Sequence, residues 1–178
     1  NDAWQLGTGG RDWCLEAWIH PFSTSGNQCI FGHGSGGAPA NRWYYAFYGT
    51  SGGTSHERKL AFDYYAGGTA VVQNNTDPLI VQFNEWQHIA VTHSGDTYTH
   101  FHNGKIVHAF EDSTDVTAST ANNLNIGTNT NSSGVEDPFY GYMDSARISL
   151  GTTRYNYSGT NAKLGTNAVH HSHAKLLI

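Results

Sequence analysis

Apolar and polar positions alternate along most of this chain, and the alternation stops every few residues at clusters of Gly, Pro, Ser, Thr and Asn. Period-two alternation bounded by turn residues predicts strands with one buried face. "WCLEAWIH" (13–20) ends at Pro21 and a polar turn, and "QCIFGH" (28–33) runs into a glycine-rich loop. Strands are predicted next at "RWYYAFY" (42–48), "KLAFDYY" (59–65), "TAVVQ" (69–73), "LIVQF" (79–83) and "EWQHIAVTHS" (85–94). "TYTHFHNGKIVHAF" (97–110) places Asn103-Gly104 between two alternating runs, which predicts a two-residue type I′ hairpin. That register sets Phe101 opposite Ile106 and His100 opposite Val107. A polar loop over 111–122, a short strand "NLNIG" (123–127) and a second polar loop over 128–138 lead to "GYMDSARISLGTTRY" (141–155). "KLLI" (175–178) supplies a last strand.

Many short antiparallel strands without a helix-length run of good helix formers define an all-β class, best satisfied by two sheets packed as a sandwich. No repeat period and no linker divide the 178 residues, so a single domain over 1–178 is expected. Aromatic residues at 13% and abundant β-branched residues supply a core and exclude disorder. Only 9 Lys+Arg, no basic run and a net charge of −5 leave nucleic-acid binding without an electrostatic basis. No run approaches the ~20 apolar residues of a membrane helix. A hairpin pairing of 13–20 with 28–33 would set Cys14 nearer Gly34 than Cys29, too far for a disulfide. Two buried free thiols are therefore expected.

Four segments, in order, resemble the laminin G-like, concanavalin A-like jelly-roll domains, especially those of phage and bacterial surface proteins. They are "WQLGTGGRDWCLEAWIHP", "NEWQHIAVTHSGDTYTHFHNGKIV", "LNIG" and "DPFYGYMDSARISLGTTRY". The resemblance implies a two-sheet jelly roll. It also implies a strand before the "GTG" turn that this sequence does not contain, so an excised piece of a longer polypeptide, or a strand from another chain, is expected. An edge left unpaired there would invite association.

The candidate chemistry is sparse. Paired carboxylates at strand spacing, which a glycosidase needs, are missing: Glu16 stands alone on its strand, and Glu111, Asp112 and Asp115 lie in a loop. Asp144 and Arg147, three apart, would face opposite ways on a regular strand. His100 with His102, and His171 with His173, could each supply two metal ligands, which do not close a site. His88 is expected to be a hydrogen-bonded structural histidine. The resemblance to calcium-binding pentraxins implies a Ca2+ site after the "NIG" strand, with Asn129, Asn131, Glu136 and Asp137 as ligands, although amides replace expected carboxylates. An aromatic surface with planar hydrogen-bonding groups suits a sugar, and Arg42, Trp43, Tyr44 and Tyr48 are the candidates for it. Sequons at Asn74, Asn131 and Asn156 are at chance frequency in so Asn-, Ser- and Thr-rich a chain. The expected function is non-enzymatic recognition or adhesion on a virion exterior or cell surface. The partners would be a host glycan and neighbouring structural subunits of a capsid or tail fibre, in an oligomer or array. The alternatives are a ligand-free structural cement and, remotely, a glycoside hydrolase.

Overall fold

The computed structural model describes residues 4–7, 9–22, 26–34, 41–49, 57–117, 123–131 and 134–155. Twelve strands follow in order: β1 (Trp13–Pro21), β2 (Gln28–His33), β3 (Arg42–Phe47), β4 (Leu60–Ala66), β5 (Thr69–Asn75), β6 (Gln87–Ser94), β7 (Thr97–His102), β8 (Lys105–Glu111), β9 (Leu124–Ile126), β10 (Asn129–Asn131), β11 (Gly134–Glu136) and β12 (Gly141–Leu150). They form two five-stranded antiparallel sheets, ordered β12-β1-β6-β7-β8 and β5-β4-β3-β2-β9, and a separate β10-β11 hairpin. The all-β two-sheet expectation holds. "KLLI", His171, His173 and Asn156 lie outside the described residues.

Alternation explains the core. Trp13, Leu15, Ala17 and Ile19 of β1, with Ile89 and Val91 of β6 and Tyr98 of β7, point inward from the first sheet. Trp43, Tyr45 and Phe47 of β3, with Leu60, Phe62 and Tyr64 of β4, meet them from the second. Trp13 contacts Phe62 with ring centroids 4.9 Å apart, and Tyr98 lies 5.8 Å from both rings. Each such ring buries enough area that truncation to Ala costs about 3–5 kcal/mol.

Several predicted details differ. β1 and β2 do not pair with each other: β1 pairs with β6 and β12, while β2 pairs with β3 and β9 in the other sheet. Each strand sends apolar side chains into the space between the sheets, Leu15 and Ile19 from β1 and Ile30 and Phe31 from β2, and opposed sheets bury both sets against one another. The two thiols are free and buried as expected, but because they lie in different sheets. The run 79–83 is not a strand. Leu79 takes a left-handed φ of 64°, and its amide donates to the Glu57 carbonyl, while Val81 is buried as a core plug. The hairpin turn at Asn103-Gly104 has φ of 48° and 75° as type I′ requires, and Phe101 faces Ile106. His100, however, faces His108, because Val107 is an extra residue bulged out of β8.

A second bulge corrects the reading of 141–155. Glu16 pairs with Arg147 and Trp18 with Asp144, so β12 carries one more residue there than β1. Ser145, at φ 51°, absorbs it. Asp144 and Arg147 therefore share the outer face rather than opposing ones. On that face Glu16, 2% exposed, is the centre of a polar cluster. Arg147 Nε donates to its Oε1 at 2.5 Å, and Arg154 Nε lies 3.4 Å from the same oxygen. His88 Nε2 sits 3.3 Å from Oε2, and the Tyr155 hydroxyl donates to that oxygen. Tyr155 also packs on Cys14, Ala90 and Phe101, so the residues after β12 are fastened across the first sheet.

Two groups make the fold acid-labile. Burial would raise the Glu16 carboxyl, but hydrogen bonds from His88, Arg147 and Tyr155 outweigh it and hold it at about 2, below its ordinary 4.5. His100 is fully buried beside Tyr45, and burial with the nearby His108 depresses it from 6.5 to about 3. Both groups bind protons more weakly folded than unfolded, so both destabilise the fold as pH falls: His100 from 6.5 downward, Glu16 from 4.5 down to 2. Urea melts should show stability falling in both windows, and His100→Phe should flatten the upper one. Glu16→Gln should cost about 3 kcal/mol at neutral pH and abolish the lower window.

Candidate functional site

The inward turn of Trp43, Tyr45 and Phe47 sends Arg42, Tyr44 and, just past the strand, Tyr48 to the outer face of the second sheet. Register does the rest. Arg42 lies opposite Tyr65 and Tyr44 opposite Asp63 on β4, and Asp63 lies opposite Gln73 on β5. The Arg42 guanidinium sits over the Tyr65 ring at 4.4 Å and 5.7 Å from the Tyr44 centroid. The two rings are stacked 6.1 Å apart, with their hydroxyls 3.5 Å from each other. Gln73 Nε2 donates to the Tyr65 hydroxyl at 3.5 Å.

Asp63 forms the floor of this layer. It is fully buried; Tyr48 donates to its Oδ2 at 3.1 Å, while Oδ1 has no hydrogen-bond partner. Burial raises the Asp63 carboxyl, and the hydroxyls of Tyr44 and Tyr48, the Asn74 backbone and the Arg42 charge oppose that rise without cancelling it. Burial and the Asp63 charge push both the Tyr44 and Tyr48 phenols up, so both remain hydrogen-bond donors.

The other candidate segment arrives at the same face. Gly32 of β2 lies opposite Tyr44, and a Cβ there would come within 3.1 Å of Asn129 Oδ1 and 3.2 Å of the Thr128 carbonyl. Glycine at 32 thus lets the β10-β11 hairpin lie against β2. Asp137 follows the hairpin at φ 48°, and its carbonyl accepts from the Cys29 amide at 2.8 Å. Its carboxyl is raised by burial and by the Glu136 charge, and lowered by Arg42. The Thr130 hydroxyl also donates to the Gly34 carbonyl at 3.1 Å, so segments 96 residues apart in sequence share one surface.

Of the predicted contact residues, Arg42, Tyr44 and Tyr48 lie on this face. Trp43 does not: it is fully buried, with Nε1 donating to the Trp4 carbonyl at 3.1 Å, because alternation assigns it to the core. Asp63, Tyr65 and Gln73 were missed. Their signal was an aspartate inside an otherwise apolar strand, but the β3–β4 register that joins them to Arg42 is not written in either segment alone.

The residues expected to hold calcium, Asn129, Asn131, Glu136 and Asp137, fall on and just after the β10-β11 hairpin. Asn129 is 2% exposed, and its Oδ1 accepts from the Thr130 amide at 2.9 Å, a structural bond. The Glu136 carbonyl accepts from the Thr128 hydroxyl at 2.9 Å, and the Asp137 carbonyl accepts from the Cys29 amide. Asn131 pairs with Gly134 through its backbone, and its side chain lies outside the description. Calcium requires six to eight oxygens led by carboxylates, and among the described residues no three His, Cys, Asp or Glu gather to hold a metal. His100 and His102 share a face as spaced, but that face is the interior, where His102 Nε2 lies 3.0 Å from Gln87 Oε1. The buried carboxylates Glu16 and Asp63 sit on opposite outer faces of the sandwich, so they cannot act as a catalytic pair. Asn74 of the first sequon is buried.

A different exposed feature lies on the outer face of the first sheet. Phe22, Trp86 and Tyr142 are each about half exposed and gather around His20, with Phe22 edge-on to Tyr142 at 4.9 Å.

Two packed sheets with this strand content are those of the concanavalin A-like lectin/glucanases superfamily, and the chain belongs to it: the family's laminin G-type model matches residues 3–152. Among curated proteins no sequence matches the chain. Among solved structures it is similar to the CBM40 module of the Ruminococcus gnavus IT-sialidase bound to α2,3-sialyllactose, at 13% identity and TM-score 0.61, covering 79% of this chain and 75% of that one. Domain 4 of an extracellular arabinanase from Geobacillus stearothermophilus, in complex with arabinotriose, matches at 15% identity and TM-score 0.55, with 79% and 61% covered. A heptameric SAP-like pentraxin from Limulus polyphemus matches at 14% identity and TM-score 0.52, with 78% and 63% covered. At these identities the likeness is one of fold.

Calcium titration followed by thermal melting should leave the midpoint unchanged, because Asn129 Oδ1 is already bonded within the hairpin and amides stand where carboxylates would be needed. A rise that EDTA reverses would restore a cation to this face.

Proposed function

We propose that the domain is a non-catalytic glycan-binding module whose sugar sits on the outer face around Arg42. The observation that carries this reading is the Arg42 guanidinium 4.4 Å over the Tyr65 ring beside the stacked Tyr44, with Gln73 at its margin. Aromatic faces take the apolar side of a pyranose, and planar donors and acceptors take its hydroxyls. Two modules of the same fold hold oligosaccharides, sialyllactose in one and arabinotriose in the other. A shallow face of this kind gives millimolar binding, about −4 kcal/mol. Function then depends on display in many copies, as in the heptameric pentraxin or on the virion or cell exterior implied by the resemblance to phage-borne domains. A purely structural cement would instead use the exposed Phe22, Trp86 and Tyr142 cluster.

Multivalent protein on a glycan array separates these readings. Arg42→Ala and Tyr65→Ala should weaken glycan capture about tenfold or more while melting near the wild-type temperature. Trp86→Ala should leave capture unchanged. No capture of any glycan would sink the binding reading. Loss through Trp86→Ala alone would move the site to the other sheet, and release of reducing sugar from a bound polysaccharide would overturn the absence of catalysis.

A further inference from the structure

Among the described residues, the outer face that carries Tyr44 is walled on three sides and open on the fourth. Gly32 of β2 lies opposite Tyr44, so the two point outward together. A Cβ on Gly32 would stand 3.1 Å from Asn129 Oδ1 and 3.2 Å from the Thr128 carbonyl, so the start of the β10-β11 hairpin lies over β2, one strand from Tyr44. It is pinned there. The Thr130 hydroxyl donates to the Gly34 carbonyl at 3.1 Å and accepts from Asn125 Nδ2 of β9 at 3.4 Å, and Asn129 is buried. Along the strands, Tyr48 forms the second wall. Its amide donates to the Lys59 carbonyl and its hydroxyl reaches Asp63, so the ring crosses Ala61, which is fully buried. At the other end Arg42 is laid across to Tyr65, its guanidinium 4.4 Å over that ring. Toward β5 the face is uncovered: β5 is an edge strand, and Val71 and Gln73 are exposed beside Tyr65.

We propose that this face takes the end of a glycan chain and excludes its interior; the inference rests on the glycan-binding reading above and adds which part of the glycan is bound. An internal sugar unit needs two exits, one toward each neighbour. A chain laid across the strands meets the hairpin beyond Tyr44, and a chain laid along them meets Tyr48 at one end and Arg42 at the other. Only the side toward β5 lets a chain leave. From β3 to β5 is two strand spacings, about 10 Å, the length of about two sugar rings. The terminal ring then sits at Tyr44 and Tyr65 with its hydroxyls toward the Arg42 guanidinium and Gln73, and the rest of the chain leaves over Val71.

The test takes the polysaccharide captured most strongly on the glycan array and compares it, at equal mass, with the same material after partial hydrolysis into chains about tenfold shorter. Hydrolysis multiplies chain ends and leaves the internal linkage as it was. Monovalent protein is titrated in solution, so that avidity does not enter. Per unit mass the fragments should bind about tenfold more protein at the same free concentration, in step with the number of ends. In the double variant Asn125→Ala, Thr130→Val, which frees the hairpin from β2 and β9, that gain should shrink, while Arg42→Ala should weaken binding of intact and fragmented material alike. Equal binding of polymer and fragments per unit mass, still weakened by Arg42→Ala, would overturn end recognition and leave the glycan-binding reading standing. A full gain retained in the double variant would overturn the hairpin as the wall. Capture of nothing on the array would defeat the glycan-binding reading itself.

Discussion

The contact of Trp13 and Tyr98 from one sheet with Phe62 and Trp43 from the other is the constraint on which the rest of the structure depends. Strand side chains alternate, so fixing one inward residue fixes the direction of every other on that strand. With Trp43 packed against Phe62, Arg42 and Tyr44 have no orientation but outward, and with Phe62 inward, Asp63 and Tyr65 follow. A one-residue slip of β3 would bury a guanidinium and expose a tryptophan, each at a cost of several kcal/mol. The geometry of the candidate site is therefore a by-product of core packing, which is why it is sharply defined without any ligand to define it.

This also marks what was readable in advance. Strand positions came directly from alternation, and the Asn103-Gly104 turn from its need for positive φ at two successive residues. The outward placement of Arg42, Tyr44 and Tyr48 was half visible, since β3 alternates two aromatic sets and only one can be core. The inclusion of Trp43 in the outward set failed because hydrophobic rings of both sets look alike until the opposing sheet is known. What alternation cannot show is which strands are neighbours. β1 and β2 are adjacent in sequence and lie in opposite sheets, whereas 42–48 and 129–137 are distant and share a surface. Bulges are equally silent. The extra residues at Ser145 and Val107 each reverse the facing of the residues beyond them, and neither breaks the sequence pattern strongly enough to be seen.

The bulge at Ser145 has a wider consequence. It brings Arg147 opposite Glu16 while keeping Asp144 on the same outer face, and Glu16 then gathers His88, Arg154 and Tyr155 as well. A carboxylate buried alone would be protonated or expelled; buried among four donors it stays ionised far below its ordinary range. The motif ending in Arg154-Tyr155 is thus a latch. It ties β1, β6, β12 and the residues after β12 together across the first sheet.

The two outer faces of the sandwich consequently differ in kind. That of the first sheet is closed around Glu16 by charge-assisted bonds and by the Tyr155 ring, and it also carries the exposed Phe22, Trp86 and Tyr142 around His20. That of the second sheet has a buried Asp63 bonded by the Tyr48 hydroxyl, a guanidinium 4.4 Å over the Tyr65 ring, and carboxyls whose burial raises them despite their partners. One face closes the fold around Glu16, and the other is the face on which the proposed sugar site lies.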